Sequence, residues 1–176
     1  LFLLATTFIN IGCSSFVHTK ERAYADSLLN NSYMDIINYS FVKAYRDISR
    51  AQTFYEKTNN QEKQAICQIH LALLYEGISL WEEAHENLKK ARSALKQLSP
   101  IVKYRYYYAN VVYLLEHCKN YAEAGRVMKY AIANDHCVSN KVFLLTDLSN
   151  LAEIYIKQGK IKEASKILNS LDKQVN

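Results

Sequence analysis

Residues 71 to 91 read Leu71-Ala72-Leu73-Leu74-Tyr75-Glu76-Gly77-Ile78-Ser79-Leu80-Trp81-Glu82-Glu83-Ala84-His85-Glu86-Asn87-Leu88-Lys89-Lys90-Ala91. An apolar helical run breaks at Gly77-Ile78-Ser79, and a second helix opens at Trp81 with its apolar face on Ala84, Leu88 and Ala91. That second helix echoes through the chain. Ala44, Ala84, Ala124 and Ala164 recur at an interval of 40. Three places before each alanine stands Phe41, Trp81, Tyr121 or Ile161, and four places after stands Ile48, Leu88, Met128 or Leu168. Seven places after come Ala51, Ala91, Ala131 and Leu171. A fixed period of this size marks stacked helix hairpins, each burying its apolar face on the next.

Composition agrees. With 4 Gly and 1 Pro the chain lacks the turn formers of an all-β domain, and 49% apolar residues supply a continuous core. Its 176 residues fit one domain. The net charge of +5 permits an acidic partner but falls short of a nucleic-acid footprint. The pass along the chain gives helix, short turn, helix, repeated: Gln61 to Glu76, Trp81 to Leu98 (stopped by Ser99-Pro100), Ile101 to His117, Tyr121 to Ala133, Asn140 to Lys157 and Ile161 to Leu171. Phe41 to Lys57 makes the second helix of the first hairpin. Its partner, about Lys20 to Asn38, carries an expected interruption at Asn30-Asn31-Ser32, as a degenerate terminal repeat would.

Leu1 to Val17 carries no charge, and within it Leu1 to Ile9 reads as the apolar core of a secretory signal peptide, too short to span a bilayer. Because the chain begins at Leu1, a few residues are expected to precede it. Ile11-Gly12-Cys13 resembles the lipobox of bacterial lipoproteins, with Asn10 departing from the aliphatic residue preferred there. That resemblance implies lipidation at Cys13, a membrane tether and an exported or periplasmic location. The alternatives are a generic signal, or an apolar first helix with a cytoplasmic location. The domain division is therefore 1–19 as the signal-like segment and 20–176 as the repeat domain, in units of about 20–60, 61–100, 101–140 and 141–176. Among the four cysteines, Cys67 sits between apolar residues and reads as a small core residue.

The hairpin motif resembles the tetratricopeptide repeat. Leu71-Ala72 with Tyr75, then Trp81, Ala84, Leu88 and Ala91 carry the likeness, and Leu151-Ala152 with Tyr155, Gly159, Ile161, Ala164 and Leu168 carry it further. The third copy is looser: Val111-Val112, Leu115, Tyr121, Ala124, Met128 and Ala131. The family's usual period is shorter, and the longer form resembles repeat arrays of bacterial regulators and sensor kinases. The resemblance implies an all-α, right-handed α-solenoid that binds a protein or peptide in the groove lined by the first helix of each hairpin. In the family's register that groove takes Ile66, Ile69, Leu73 and Glu76 from the second repeat. From the third it takes Tyr106, Ala109, Tyr113, Glu116 and His117, while Tyr108 and Val112 face the core. The fourth repeat offers Thr146, Ser149, Glu153 and Lys157. The competing reading packs Tyr106 and Tyr113 between repeats. A terminal hairpin with an apolar face would also permit self-association. The alternative function is the input region of a bacterial signalling or transcription regulator whose output module lies outside this chain.

Other chemistry finds little footing. Lys89, Lys90, Arg92, Lys96, Lys103 and Arg105 form the densest basic region, read as a solvated face rather than a nucleic-acid site. His117-Cys118 and His136-Cys137 carry zinc-ligand types, but the hairpin places them about 20 Å apart. No phosphate loop, nucleophile elbow or His-Glu-x-x-His motif is present. The sequence thus gives no basis for an enzyme, a metal or a cofactor.

Overall fold

The computed structural model describes the backbone of residues 2–134 and 141–175, and the side chains of residues 19–133 and 144–172. The described residues are all-helical. They comprise α1 (Phe2–Ile37), α2 (Phe41–Lys57), α3 (Gln61–Gly77), α4 (Trp81–Arg92), α5 (Pro100–Val112), α6 (Tyr121–Asn134), α7 (Lys141–Lys157) and α8 (Ile161–Val175). A 3-10 turn at Leu95–Gln97 precedes α5, and a π-helical turn at Tyr113–His117 follows it. Each helix packs on the next in chain order, and α3 also packs on α1 and α5. No described helix is long and apolar enough to cross a membrane. The side chain of Cys13, with the lipidation expected there, lies outside the described residues, as do His136 and Cys137.

The 40-residue period reappears as geometry. Ala44, Ala84 and Ala124 are fully buried and Ala164 is 2% exposed. Each amide N–H donates the first bond of its helix, to the carbonyls of Ser40, Leu80, Asn120 and Lys160. Small side chains here let adjacent helices approach closely. Just before each of these helices one residue adopts the left-handed conformation: Tyr39, Ser79, Lys119 and Gly159, at φ of 59°, 61°, 51° and 73°. These are αL caps that close α1, α3, the π-turn and α7. Only the last uses glycine, for which this conformation carries no Cβ penalty.

The helices differ from expectation in three places. α1 runs unbroken through Asn30-Asn31-Ser32. Asn30 and Asn31 point to solvent, where their poor helix propensity costs only tenths of a kcal/mol each. Ser32 is fully buried and donates to the Leu29 carbonyl at 2.8 Å, so its hydroxyl is satisfied inside the helix. Second, the helix from Trp81 ends at Arg92 rather than Leu98, and bonds from Ala94 to Ala91 and from Gln97 to Ala94 tighten the chain ahead of Pro100. Third, the last turn after α5 is π-helical.

The core lies in three successive clusters. Ile48, Tyr55, Cys67 and Leu74 center the first, between α1, α2 and α3. Ile69, Leu88, Tyr106 and Ala109 belong to the second, between α3, α4 and α5. Met128, Leu151 and Ile154 belong to the third, which reaches α6 and α7. Cys67 is fully buried, as its apolar neighbours suggest, and burial pushes its thiol pKa up to about 12.

Candidate functional site

Three helices that are not consecutive in the chain, α1, α3 and α5, enclose a half-open cavity of about 370 Å³. From α1 come Tyr33, Ile36 and Ile37, and from α3 come Leu73, Glu76 and Gly77. These two triplets stand 40 residues apart, so the repeat places equivalent positions side by side. Tyr39 and Phe41 close one end. Gly77 makes room there, since a Cβ on it would meet the Phe41 ring at 2.6 Å. Tyr104, Arg105, Tyr108 and Val112 of α5 form the remaining wall.

The α5 wall is one residue out of the expected register. Arg105, Tyr108 and Val112 stand where the family's register places Tyr106, Ala109 and Tyr113. The π-turn explains the offset. Ser40, Leu80 and Lys160 each donate to a carbonyl five residues earlier (Asp35, Tyr75 and Tyr155), whereas Asn120 reaches back six residues to Leu114. One extra residue sits in that turn and rotates everything upstream of it by one position. Tyr106 (6% exposed) and Ala109 (fully buried) consequently face α3 and α4, packed with Ala65, Ile69 and Ala72. Tyr108, expected in the core, is 38% exposed at the cavity mouth.

The expected set is therefore divided. Leu73 lines the cavity. Ile69 is fully buried and Ile66 half-buried against the first two clusters. Tyr113, Glu116 and His117 stand apart on the π-turn. There Tyr113 stacks on His85 (4.5 Å between ring centroids) and His117 stacks on Tyr113 and Trp81. The exposed Glu116 pairs with Lys119. In the fourth repeat Thr146 and Ser149 are exposed, and Glu153 and Lys157 pair with each other.

A polar chain runs behind the cavity wall. The Arg105 guanidinium lies over the Tyr33 ring at 3.5 Å, and its Nη1 is 3.1 Å from His70 Nε2. Guanidinium only donates, so Nε2 accepts and the proton sits on Nδ1. Nδ1–H then donates to Ser32 Oγ at 3.0 Å, and Ser32 donates onward to Leu29. Burial first, then the Arg105 charge, pushes the His70 pKa down to about 3, so the ring is neutral. Arg105, read from sequence as part of a solvated basic face, is instead a half-buried structural cation. Farther along, Tyr104 donates to buried Asp147 of α7 at 2.9 Å.

Arg105 Nε has no hydrogen-bond partner, and Glu76 is likewise unsatisfied. It is 8% exposed, lines the cavity, and its Oε1 has no hydrogen-bond partner. Burial alone pushes its pKa up to about 9, so the carboxyl is neutral at neutral pH. The Tyr108 hydroxyl is near enough to feel Glu76, Tyr33 and Tyr39, each of which, after burial, raises its pKa. Comparison with family models, curated proteins and solved structures returned no match.

Proposed function

We propose that this chain is a non-catalytic, tetratricopeptide-like α-solenoid that binds an extended or helical peptide of a partner protein on the concave face formed by α1, α3 and α5. The observation that carries the reading is the half-open, largely apolar cavity of about 370 Å³ built from the first helices of successive hairpins. Its size and composition, aromatic and aliphatic walls with a few polar groups, suit insertion of a side chain with flanking backbone. Tyrosines at the mouth supply contact area at low entropic cost.

Panning a phage-displayed random peptide library against the chain tests this. A consensus peptide should emerge, with binding falling about tenfold or more in a Tyr108→Ala variant that keeps its helical circular dichroism. A Tyr130→Ala control, exposed and outside this cavity, should bind like the parent. Absence of any consensus, or equal loss in both variants, would overturn the reading.

A further inference from the structure

We propose that the cavity receives the cationic side chain of a lysine or arginine in the bound peptide, with Glu76 as its counter-ion. This rests on the peptide-binding reading and adds the chemistry of the residue that enters.

A buried carboxyl oxygen without a partner has given up its hydrogen bonds to water and gained none in return. Glu76 leaves such an oxygen unpartnered in the wall of the cavity. The surrounding rings select the kind of donor. Tyrosine faces attract cations, and Arg105 over Tyr33 at 3.5 Å shows this wall already holding one. Tyr39 and Tyr108 line the same cavity as Glu76 and are 80% and 38% exposed, so both remain open to a ligand. Arg105 lines the same cavity, but its guanidinium is engaged by the Tyr33 ring and by His70 Nε2. The depth of Glu76 favours a charge on a long stem, whose methylenes would lie along Leu73, Val112 and Ile37. On arrival of the cation the carboxyl releases its proton to solvent and the pair becomes a charge-assisted hydrogen bond.

The test uses a positional-scanning library of acetylated, amidated hexapeptides, with wild type and Glu76→Gln compared by fluorescence anisotropy. Gln matches the neutral carboxyl in shape, and circular dichroism checks its fold. Wild type should prefer Lys or Arg at one position over norleucine, and Glu76→Gln should lose that preference by about 10- to 100-fold while retaining apolar preferences elsewhere. Apolar or acidic preference at every position, or a basic preference unchanged in Glu76→Gln, would overturn the cation assignment and leave the groove reading standing. No binding by any peptide would overturn both. Binding of 1,5-diaminopentane as tight as that of the best peptide would overturn the peptide as the cation's source.

Discussion

Two buried titratable residues, Glu76 and His70, are held neutral by burial and pull the pH dependence of stability in opposite directions. Glu76 ordinarily titrates near 4.5 and in the fold near 9. Above pH 4.5 the unfolded chain gives up this proton while the folded chain keeps it, so stability falls as pH rises from 4.5 toward 9. His70 ordinarily titrates near 6.5 and in the fold near 3. Below pH 6.5 the unfolded chain gains a proton the folded chain refuses, so stability falls as pH drops from 6.5 toward 3. Each slope is at most about 1.4 kcal/mol per pH unit. Between 4.5 and 6.5 the two cancel, leaving a plateau. Urea denaturation across pH should therefore show Glu76→Gln gaining on wild type steadily from pH 4.5 toward 9. His70→Gln, which can still accept from Arg105 and donate to Ser32, should lose less than wild type below pH 4.5. Parallel curves for wild type and Glu76→Gln would mean that water reaches the carboxyl and that it titrates normally.

At the scale of elements, five left-handed residues after helices are where backbone strain enters. Tyr39, Asn59, Ser79 and Lys119 hold positive φ with a Cβ present, at a cost of about 1–2 kcal/mol each, whereas Gly159 holds it freely. A Cβ at Gly159 would meet nothing within 4 Å, so its substitution isolates the backbone cost. Ser79→Gly should stabilise the protein by about 0.5–1 kcal/mol, and Gly159→Ala should destabilise it by about 1 kcal/mol. Thermal melts would show the first as a rise in Tm of about 1–4 °C. Equal and opposite effects absent from both variants would mean that the caps relax out of the αL region. These turns also mark the limit of what the sequence discloses. Gly159 announces its turn, but Tyr39, Ser79 and Lys119 do so only through the alanine five residues later. The π-turn has no compositional signal at all. Because Lys119 keeps the 40-residue spacing from Ser79 and Gly159, the repeat conceals the extra residue, and the α5 wall is read one residue late. Hence the helices, the periodic core and Leu73 are legible in the sequence. Arg105, Tyr108 and the Ser32–His70–Arg105 chain depend on a phase and on long-range contacts that no local pattern encodes.

Across the whole molecule, packing is graded along the chain. α3 contacts α1, α2, α4 and α5 and contributes to two core clusters, while α8 packs on α7. The repeat's apolar positions show the same gradient. Ile48, Leu88 and Met128 are buried, yet their equivalent Leu168 is 43% exposed, and Ile161 is 57% exposed where Phe41, Trp81 and Tyr121 are half-buried. Contacts confined to neighbouring helices let one end open while the other stays folded. Amide hydrogen exchange at neutral pH should therefore find α8 exchanging through local opening, with α3 protected to the level of global unfolding. Ala164→Glu, which puts a charge at a position 2% exposed between α7 and α8, should speed exchange in α8 and leave the amides of α3 and the Arg105–His70 contact unchanged. The same substitution at the fully buried Ala84, between α3 and α4, should instead lower protection throughout α1 to α5. If Ala164→Glu accelerates α3 as much as α8, the helices unfold as one cooperative unit, and the cavity between α1, α3 and α5 depends on the C-terminal hairpin for its shape.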